Sequence, residues 1–250
     1  MPPNIPPGFI DAGEDIYYCE DFSIELPKTV LIREKEYYRF LDFIFIPAGT
    51  LNLSKEQVII INSIRSKYLE QHPQFQKNSE VRKYFLELIK QLKPKTILEF
   101  GPDSNPLLSE PQDSIEKIFL VDFDHNSISY LKKSGIEAIH FDGSVSLKIP
   151  DNFVEFIFSI FVFHFEVSSS QIKELYRVLA EDGILIANVY KLLSEERKTV
   201  MQRMIDSGFK IKVTADNNQV CDNHEFWLLY KSIDDKKLYK AISILDQKKL

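Results

Sequence analysis

Residues 96–108 read TILEFGPDSNPLL and residues 118–124 read IFLVDFD, and this pair constrains the fold more than anything else in the chain. Each opens on a short apolar run of the length of a buried strand. The first run passes into glycine, proline, aspartate and asparagine, the residues of tight turns. The second ends in an acid. Gly101 and Asp122 stand about 20 residues apart, the spacing of a nucleotide-binding βαβ unit. In such a unit the glycine lets the backbone approach a ligand closely, and the acid accepts from two ribose hydroxyls.

The text after this pair alternates between strand and helix signals. A helix over 126–133 is ended by Gly135 and followed by a third strand at 137–141. A fourth strand at 153–159 precedes a helix over 169–180 stopped by Gly183. A fifth at 184–190 precedes a helix over 195–205 closed by Gly208. The last two strands, 209–214 and 225–231, are joined by polar residues without a helical pattern, so they pair antiparallel. The expectation is an α/β fold: an open Rossmann-like sheet of seven strands, the last antiparallel, with helices on both faces.

Upstream lies an α+β extension over 1–95. Four prolines within the first seven residues predict an extended lead-in with little order. Aromatic runs from 16 to 53 predict two or three strands or a hairpin. Ser54 with Gln57 makes a capping box for a helix to about residue 71, ended by Pro73. A second helix over 80–92 carries an unbroken stripe of Val81, Tyr84, Phe85, Leu88, Ile89 and Leu92, and Pro94 stops it. Domain boundaries follow: the extension at 1–95, the sheet at 96–232, and a C-terminal helical segment at 233–250.

Composition narrows the function classes. A hydrophobic fraction of 44% with 19 Phe and 11 Tyr supports a sizeable core. A net charge of −6 argues against a broad nucleic-acid footprint, and the lysines at 236, 237, 240, 248 and 249 read as a solvated helix face. Cys19 and Cys221 share no metal-ligand spacing, so no metal site is expected; they fit a reducing compartment or a single long-range disulfide. Nothing at nucleophile distance in sequence would lower the pKa of Cys221. The N-terminus lacks the basic and apolar regions of a signal peptide, and the longest apolar runs, such as 156–165, fall short of the ~20 residues that span a bilayer. A soluble, cytoplasmic chain without a membrane partner is expected.

The predicted strand ends make chemical sense together. They carry Glu99, Phe100 and Gly101; Asp122 and Phe123; Phe141, Asp142 and Gly143; and Ser159. Ligands of open α/β sheets bind at these carboxyl ends. Acids at three of them suit a ligand with an amino group, a ribose and an adenine. Asp122 accepts from ribose hydroxyls, Phe123 offers an apolar face to the base, Asp142 accepts from an exocyclic amine, and N–H groups around Gly143 donate to a ring nitrogen. Glu99 either anchors the amino end or is a structural acid of the turn.

Over residues 86–232 the chain resembles the class I S-adenosylmethionine-dependent methyltransferases. The first motif of that family matches EFGPDSN at 99–105, and its second- and third-strand acids match Asp122 and Asp142. IPDNFVEFIFSIFVFHF at 149–165 is similar to the fourth-strand region, with Glu155 where an aspartate is usual and His164 where many members carry histidine. ELYRVLAEDGILIANV at 174–189 resembles the entry into strand five, and residues 206–209 resemble the entry into strand six.

The resemblance implies S-adenosylmethionine as cofactor, held by Glu99, Gly101, Pro102, Asp103, Asn105, Asp122, Phe123, Asp142, Gly143 and Ser159. It implies His164 as the catalytic candidate, either as a base or orienting group or as a packed histidine. Tyr190 either lines a substrate pocket or packs. The departure is in the glycine turn, where Asp103 and Asn105 replace glycines. Both tolerate positive φ, and the carboxylate at 103 either repels the carboxylate of the cofactor or helps to hold its amino group. The signature Asn-Pro-Pro-aromatic after strand four is replaced by Ser159-Ile160-Phe161-Val162, which argues against methylation of bases or glutamine. The expected activity is methyl transfer to a small-molecule acceptor, with 1–95 as a lid or substrate-selecting extension. A non-catalytic binding member of the fold is the first competing reading. A nicotinamide-dependent oxidoreductase is the second, and the antiparallel last strand with Asp142-Gly143 argues against it.

Overall fold

The structure, a computed structural model, describes residues 5–21, 26–40, 43–50, 53–68, 74–111, 114–163, 167–190, 194–216 and 224–246. The chain divides into two compact units, Met1–Gln76 and Lys77–Leu250.

The first unit is a five-stranded antiparallel sheet with one helix. Its strands are β1 (Phe9–Gly13), β2 (Ile16–Cys19), β3 (Thr29–Ile32), β4 (Lys35–Phe40) and β5 (Ile44–Pro47), followed by α1 (Lys55–Tyr68). Their order is β1-β2-β5-β4-β3. The sequence signalled fewer strands and left β1 in an unstructured lead-in. The reason lies in the two hairpin turns. Glu14 and Asp15, then Arg33 and Glu34, sit at φ 51, 59, 51 and 65, the left-handed pairs of two-residue turns that normally favour Asn and Gly. Charged residues at those places hide the hairpins from a sequence reading. Tertiary contacts hold the first turn instead: Asp15 accepts from Lys35 Nζ at 2.7 Å and from Tyr37 OH at 3.3 Å. The Lys35 hydrogen bond, the largest influence, keeps the Asp15 carboxyl below its ordinary pKa. The expected capping box forms at α1, with Gln57 N donating to Ser54 Oγ and Ser54 N to Gln57 Oε1.

The second unit is built on a seven-stranded sheet. Its elements are α2 (Gln74–Leu92), β6 (Thr96–Phe100), β7 (Lys117–Asp122), α3 (His125–Lys133), β8 (Ile139–His140) and β9 (Val154–Ser159). They continue with α4 (Ser169–Val178), β10 (Leu179–Val189), α5 (Ser194–Asp206), β11 (Lys210–Ala215), β12 (Glu225–Tyr230) and α6 (Asp235–Leu245). The strand order is β11-β12-β10-β9-β6-β7-β8. Only β12 runs antiparallel, pairing with β10 and β11 in that sense. Strand order reverses at β6, between β9 and β7, which makes its carboxyl end the topological switch point.

Alternation along each buried strand divides the core between two faces. Leu98, Val121, Ile157 and Trp227 pack with Ile172 and Leu175 of α4 and Met204 of α5. On the opposite face Leu120 packs with Ile128 and Leu131 of α3. The Phe85 ring of α2 lies 5.6 Å from that of Phe158 and 6.2 Å from that of Phe226. The apolar stripe read from the sequence thus faces β9 and β12, and α2 counts with the sheet that follows it.

Two crossovers lack the helix that an alternating pattern leads one to expect. Among the described residues, neither the connection 101–116 from β6 to β7 nor 141–153 from β8 to β9 contains one. Pro102, Pro106 and Pro111 explain the first, since each removes a backbone donor and pushes its predecessor out of helical geometry. Helix α4 and strand β10 meet without a loop, and the β9–β10 register shifts between Leu179 and Ile184.

Truncating the ring that joins α2 to the sheet is expected to be costly. Phe85→Ala should lower the unfolding free energy by about 3–5 kcal/mol, read as a lower urea midpoint with little change in slope; a loss under about 1 kcal/mol would show that α2 is not anchored through this ring.

Candidate functional site

The residues singled out at the strand ends converge at the carboxyl edge of β6, β7 and β8. After β6 the backbone turns through Gly101 at φ 78 and Asp103 at φ 54. Glycine takes that conformation freely, and aspartate is among the few other residues that take it routinely. The turn therefore survives aspartate at a position where glycine is usual. Gly101 N donates to Val121 O at 2.8 Å, which ties the turn to β7.

Two buried carboxylates shape the loop that leads on from this turn. Asp122, 4% exposed, accepts from the Asp103 N–H on one oxygen and from the Asp124 N–H on the other, both at 2.9 Å. Glu99, 2% exposed, accepts from Leu107 N at 2.7 Å and so pins the far end of the same loop. Arg82 of α2 braces that loop from outside, donating to Asn105 O at 3.0 Å and Pro106 O at 2.7 Å. Glu99 thus holds the loop at Leu107, and Arg82 is a second brace that no spacing in the sequence announces.

Burial raises the pKa of both acids. Glu99 rises to about 8, with the Leu107 N–H and Arg82 opposing the rise and Asp122 adding to it. Asp122 rises to about 6, opposed by the N–H groups of Asp124 and Asp103 and reinforced by the charges of Asp103 and Asp124.

The Asp103 carboxylate is engaged with helix α3. Its Oδ1 accepts from Ser127 Oγ at 2.8 Å, and Asp124 caps the same helix through Asn126 N and Ser127 N. A negative charge is favourable there, because the first turn of a helix presents unpaired N–H groups. Beside it, His125 and His140 stack with ring centroids 3.5 Å apart, and His140 Nε2 lies 2.8 Å from Phe123 O. This contact ties the backbone just after β7 to the end of β8.

Asp142 is exposed and accepts at Oδ1 from both the N–H and the hydroxyl of Ser144, at 2.9 and 2.6 Å. Gly143, at φ 87, lies so close to the start of α4 that an added Cβ would come within 2.5 Å of Ser170 Oγ. Ser159 sits deeper than its neighbours. It is fully buried and its hydroxyl donates to Phe100 O at 2.8 Å, joining β9 to β6. Tyr190 is buried with its ring edge-on to Phe161 at 5.1 Å. His164 and Cys221 lie outside the described residues.

The residues present fit S-adenosylmethionine. Each oxygen of Asp122 accepts one backbone N–H, which leaves one of its two lone pairs for a ribose hydroxyl. Pro102, Asp103 and Asn105 present the turn at the same edge.

The raised acids set a pH dependence whose sign is fixed. A carboxyl with a higher pKa folded than unfolded stabilises the fold most below its unfolded value, and that contribution is lost as pH rises through the folded value. Thermal stability should therefore decline from about pH 5 to pH 8 in wild type. Glu99→Gln, which keeps an acceptor for Leu107 N, should flatten the decline; an unchanged profile in the variant would remove Glu99 as its source.

Residues 98–187 match the family model described as a methyltransferase domain. No curated protein matches the chain. Solved structures with a similar fold include a SAM-dependent methyltransferase from Aquifex aeolicus, at 20% identity and TM-score 0.43, covering 57% of this chain and 86% of that one. A SAM-dependent methyltransferase from Thermotoga maritima, described as a possible histamine N-methyltransferase, aligns at 16% identity and TM-score 0.47, covering 68% and 99%. A TehB-like SAM-dependent methyltransferase from Corynebacterium glutamicum aligns at 14% identity and TM-score 0.45, covering 58% and 86%. Residues 98–187, less than half of the chain, are thus similar to a methyltransferase domain.

Proposed function

We propose that the protein transfers the methyl group of S-adenosylmethionine to a small-molecule acceptor. The observation that carries the siting of the cofactor is the left-handed turn at Gly101 and Asp103, held against the Asp122 carboxylate at the switch point of the sheet. In this reading Gly101, Pro102, Asp103 and Asn105 cradle the methionine end, with Glu99 shaping the turn from beneath. Asp122 takes the ribose, Phe123 lies against the base, and Asp142 with the N–H groups at Gly143 reads the adenine edge. Ser159 supports the cradle by joining β9 to β6. His164 is proposed as the group that orients the acceptor or takes its proton.

The bound cofactor supplies a methyl group on a positively charged sulfur, already activated toward an oxygen, nitrogen or carbon nucleophile. The chain then needs to align the acceptor behind that methyl and exclude water. A small acceptor is favoured by the net charge of −6 and by Ser159-Ile160-Phe161-Val162 in place of a base-holding Asn-Pro-Pro-aromatic segment. Residues 1–95, ahead of the matched segment, are proposed as the substrate-selecting extension.

Calorimetric titration with S-adenosylmethionine and its demethylated product tests the siting. Wild type should bind both, and Asp122→Ala should lose about tenfold or more in affinity. Asp142→Asn separates scaffold from ligand contact, since it keeps an acceptor for Ser144 and exchanges the other for a donor. It should bind several-fold more weakly, and equal affinity would remove Asp142 from the adenine site. Transfer of labelled methyl to a panel of small amines, phenols and thiols, against RNA as the alternative, decides the acceptor class; label on RNA alone would sink the small-molecule reading.

A further inference from the structure

A buried chain of hydrogen bonds crosses the carboxyl edge of the sheet beside the segment that follows β9. Asp216 follows β11 and His224 precedes β12, and Asp216 N donates to His224 O at 3.0 Å, closing that hairpin. His224 Nδ1 lies 2.7 Å from Asp216 Oδ2, and its Nε2 lies 3.1 Å from Asn188 Nδ2 on β10. Asn188 Oδ1 accepts from Phe161 N at 2.7 Å. The Asp216 and His224 side chains are fully buried, as is Asn188.

The donor and acceptor roles follow from one end. The Phe161 N–H can only donate, so it must face Asn188 Oδ1. Asn188 then presents its amide N–H groups to His224, whose Nε2 must be the bare, accepting nitrogen. The imidazole proton therefore sits on Nδ1 and is donated to Asp216. These three hydrogen bonds are mutually consistent in one arrangement, and a buried network of that kind specifies a single geometry.

The geometry so specified includes an unfavourable backbone. Phe161 stands at φ 57, the left-handed region that an aromatic residue adopts only when its surroundings hold it there. Its ring is fixed edge-on to Tyr190 at 5.1 Å and stacks at 6.4 Å over His224. The next residue, Val162, lies directly on the cofactor turn. An added Cβ at Gly101 would come within 2.3 Å of Val162 Cγ2.

We propose that Asn188 is a positioning residue of the methyltransferase site. Held by His224 and Asp216, it fixes the left-handed turn at Phe161 and so seats Val162 against Gly101, giving the cofactor turn its outer wall. This rests on the reading of that turn as the S-adenosylmethionine site. Asn188 acts through Phe161 and Val162, and the tautomer of His224 is its signature.

Nitrogen-15 NMR of the imidazoles, amide exchange at Phe161 and calorimetry with S-adenosylmethionine test the assignment together. In wild type His224 should be protonated at Nδ1 alone and the Phe161 amide strongly protected. Asn188→Ala should expose that amide and weaken cofactor binding by about tenfold or more. Asn188→Asp returns an acceptor to Phe161 while giving His224 a second carboxylate, so both ring nitrogens should carry protons and most of the lost affinity should be recovered. A proton on Nε2 in wild type overturns the proposal. So does an Asn188→Ala variant with native affinity and protection, or an Asn188→Asp variant that keeps the amide protected without recovering binding. A wild-type chain that binds no cofactor overturns the siting of the cofactor instead, and with it the link from Val162 to binding, while the tautomer and the Phe161 amide still decide the relay itself.

Discussion

Backbone N–H groups accepted by buried carboxylates hold the candidate site together. Asp122 takes those of Asp103 and Asp124, and Glu99 takes that of Leu107. A loop of this length, with no helix among its described residues, has few ways to satisfy its donors once it is packed on a sheet. The two acids satisfy two of them, at Asp103 and Leu107, and thereby set the path of the chain from β6 to β7. Their own burial has a consequence, because both are held above the ordinary carboxylate range. The shape of the site and the pH response of the fold thus have one origin.

Charge at the turn is managed by where it is sent. Asp103, Asp122 and Asp124 stand close together, and the charges of Asp103 and Asp124 raise the cost of ionising Asp122. The structure directs two of them into the N-terminus of α3, through Ser127 Oγ and the N–H groups of Asn126 and Ser127. The open N–H groups of that helix end offset the repulsion. Asp103 is therefore compatible with a turn that elsewhere uses glycine, both by its φ and by its partner.

On the other side of the switch point the site is bounded by contacts among distant segments. Ser159 joins β9 to β6, Val162 packs on Gly101, and Phe161 is held by Asn188. A substitution in β10 or in the β11–β12 hairpin can therefore reach the turn at Gly101 without touching it.

The sequence by itself determined the strands of the second unit, the position of each acid at a strand end, and the order that makes the last strand antiparallel. Those are local or periodic properties: apolar runs, turn residues and the absence of a helical pattern between 214 and 225. It also marked the α1 capping box and the stripe of α2 that packs on Phe158 and Phe226. Tertiary structure alone decided what each acid bonds, that Glu99 supports the turn from beneath, and that Arg82 braces it. It alone built the hairpins at Glu14-Asp15 and Arg33-Glu34, where Glu14, Arg33 and Glu34 are not turn-forming residues. Asn188 and His224 are 36 positions apart and Phe161 and Asn188 are 27 apart. Their hydrogen bonds exist only because β9, β10 and β12 are neighbours in the sheet, and no spacing along the chain encodes a contact between strands that folding has yet to bring together.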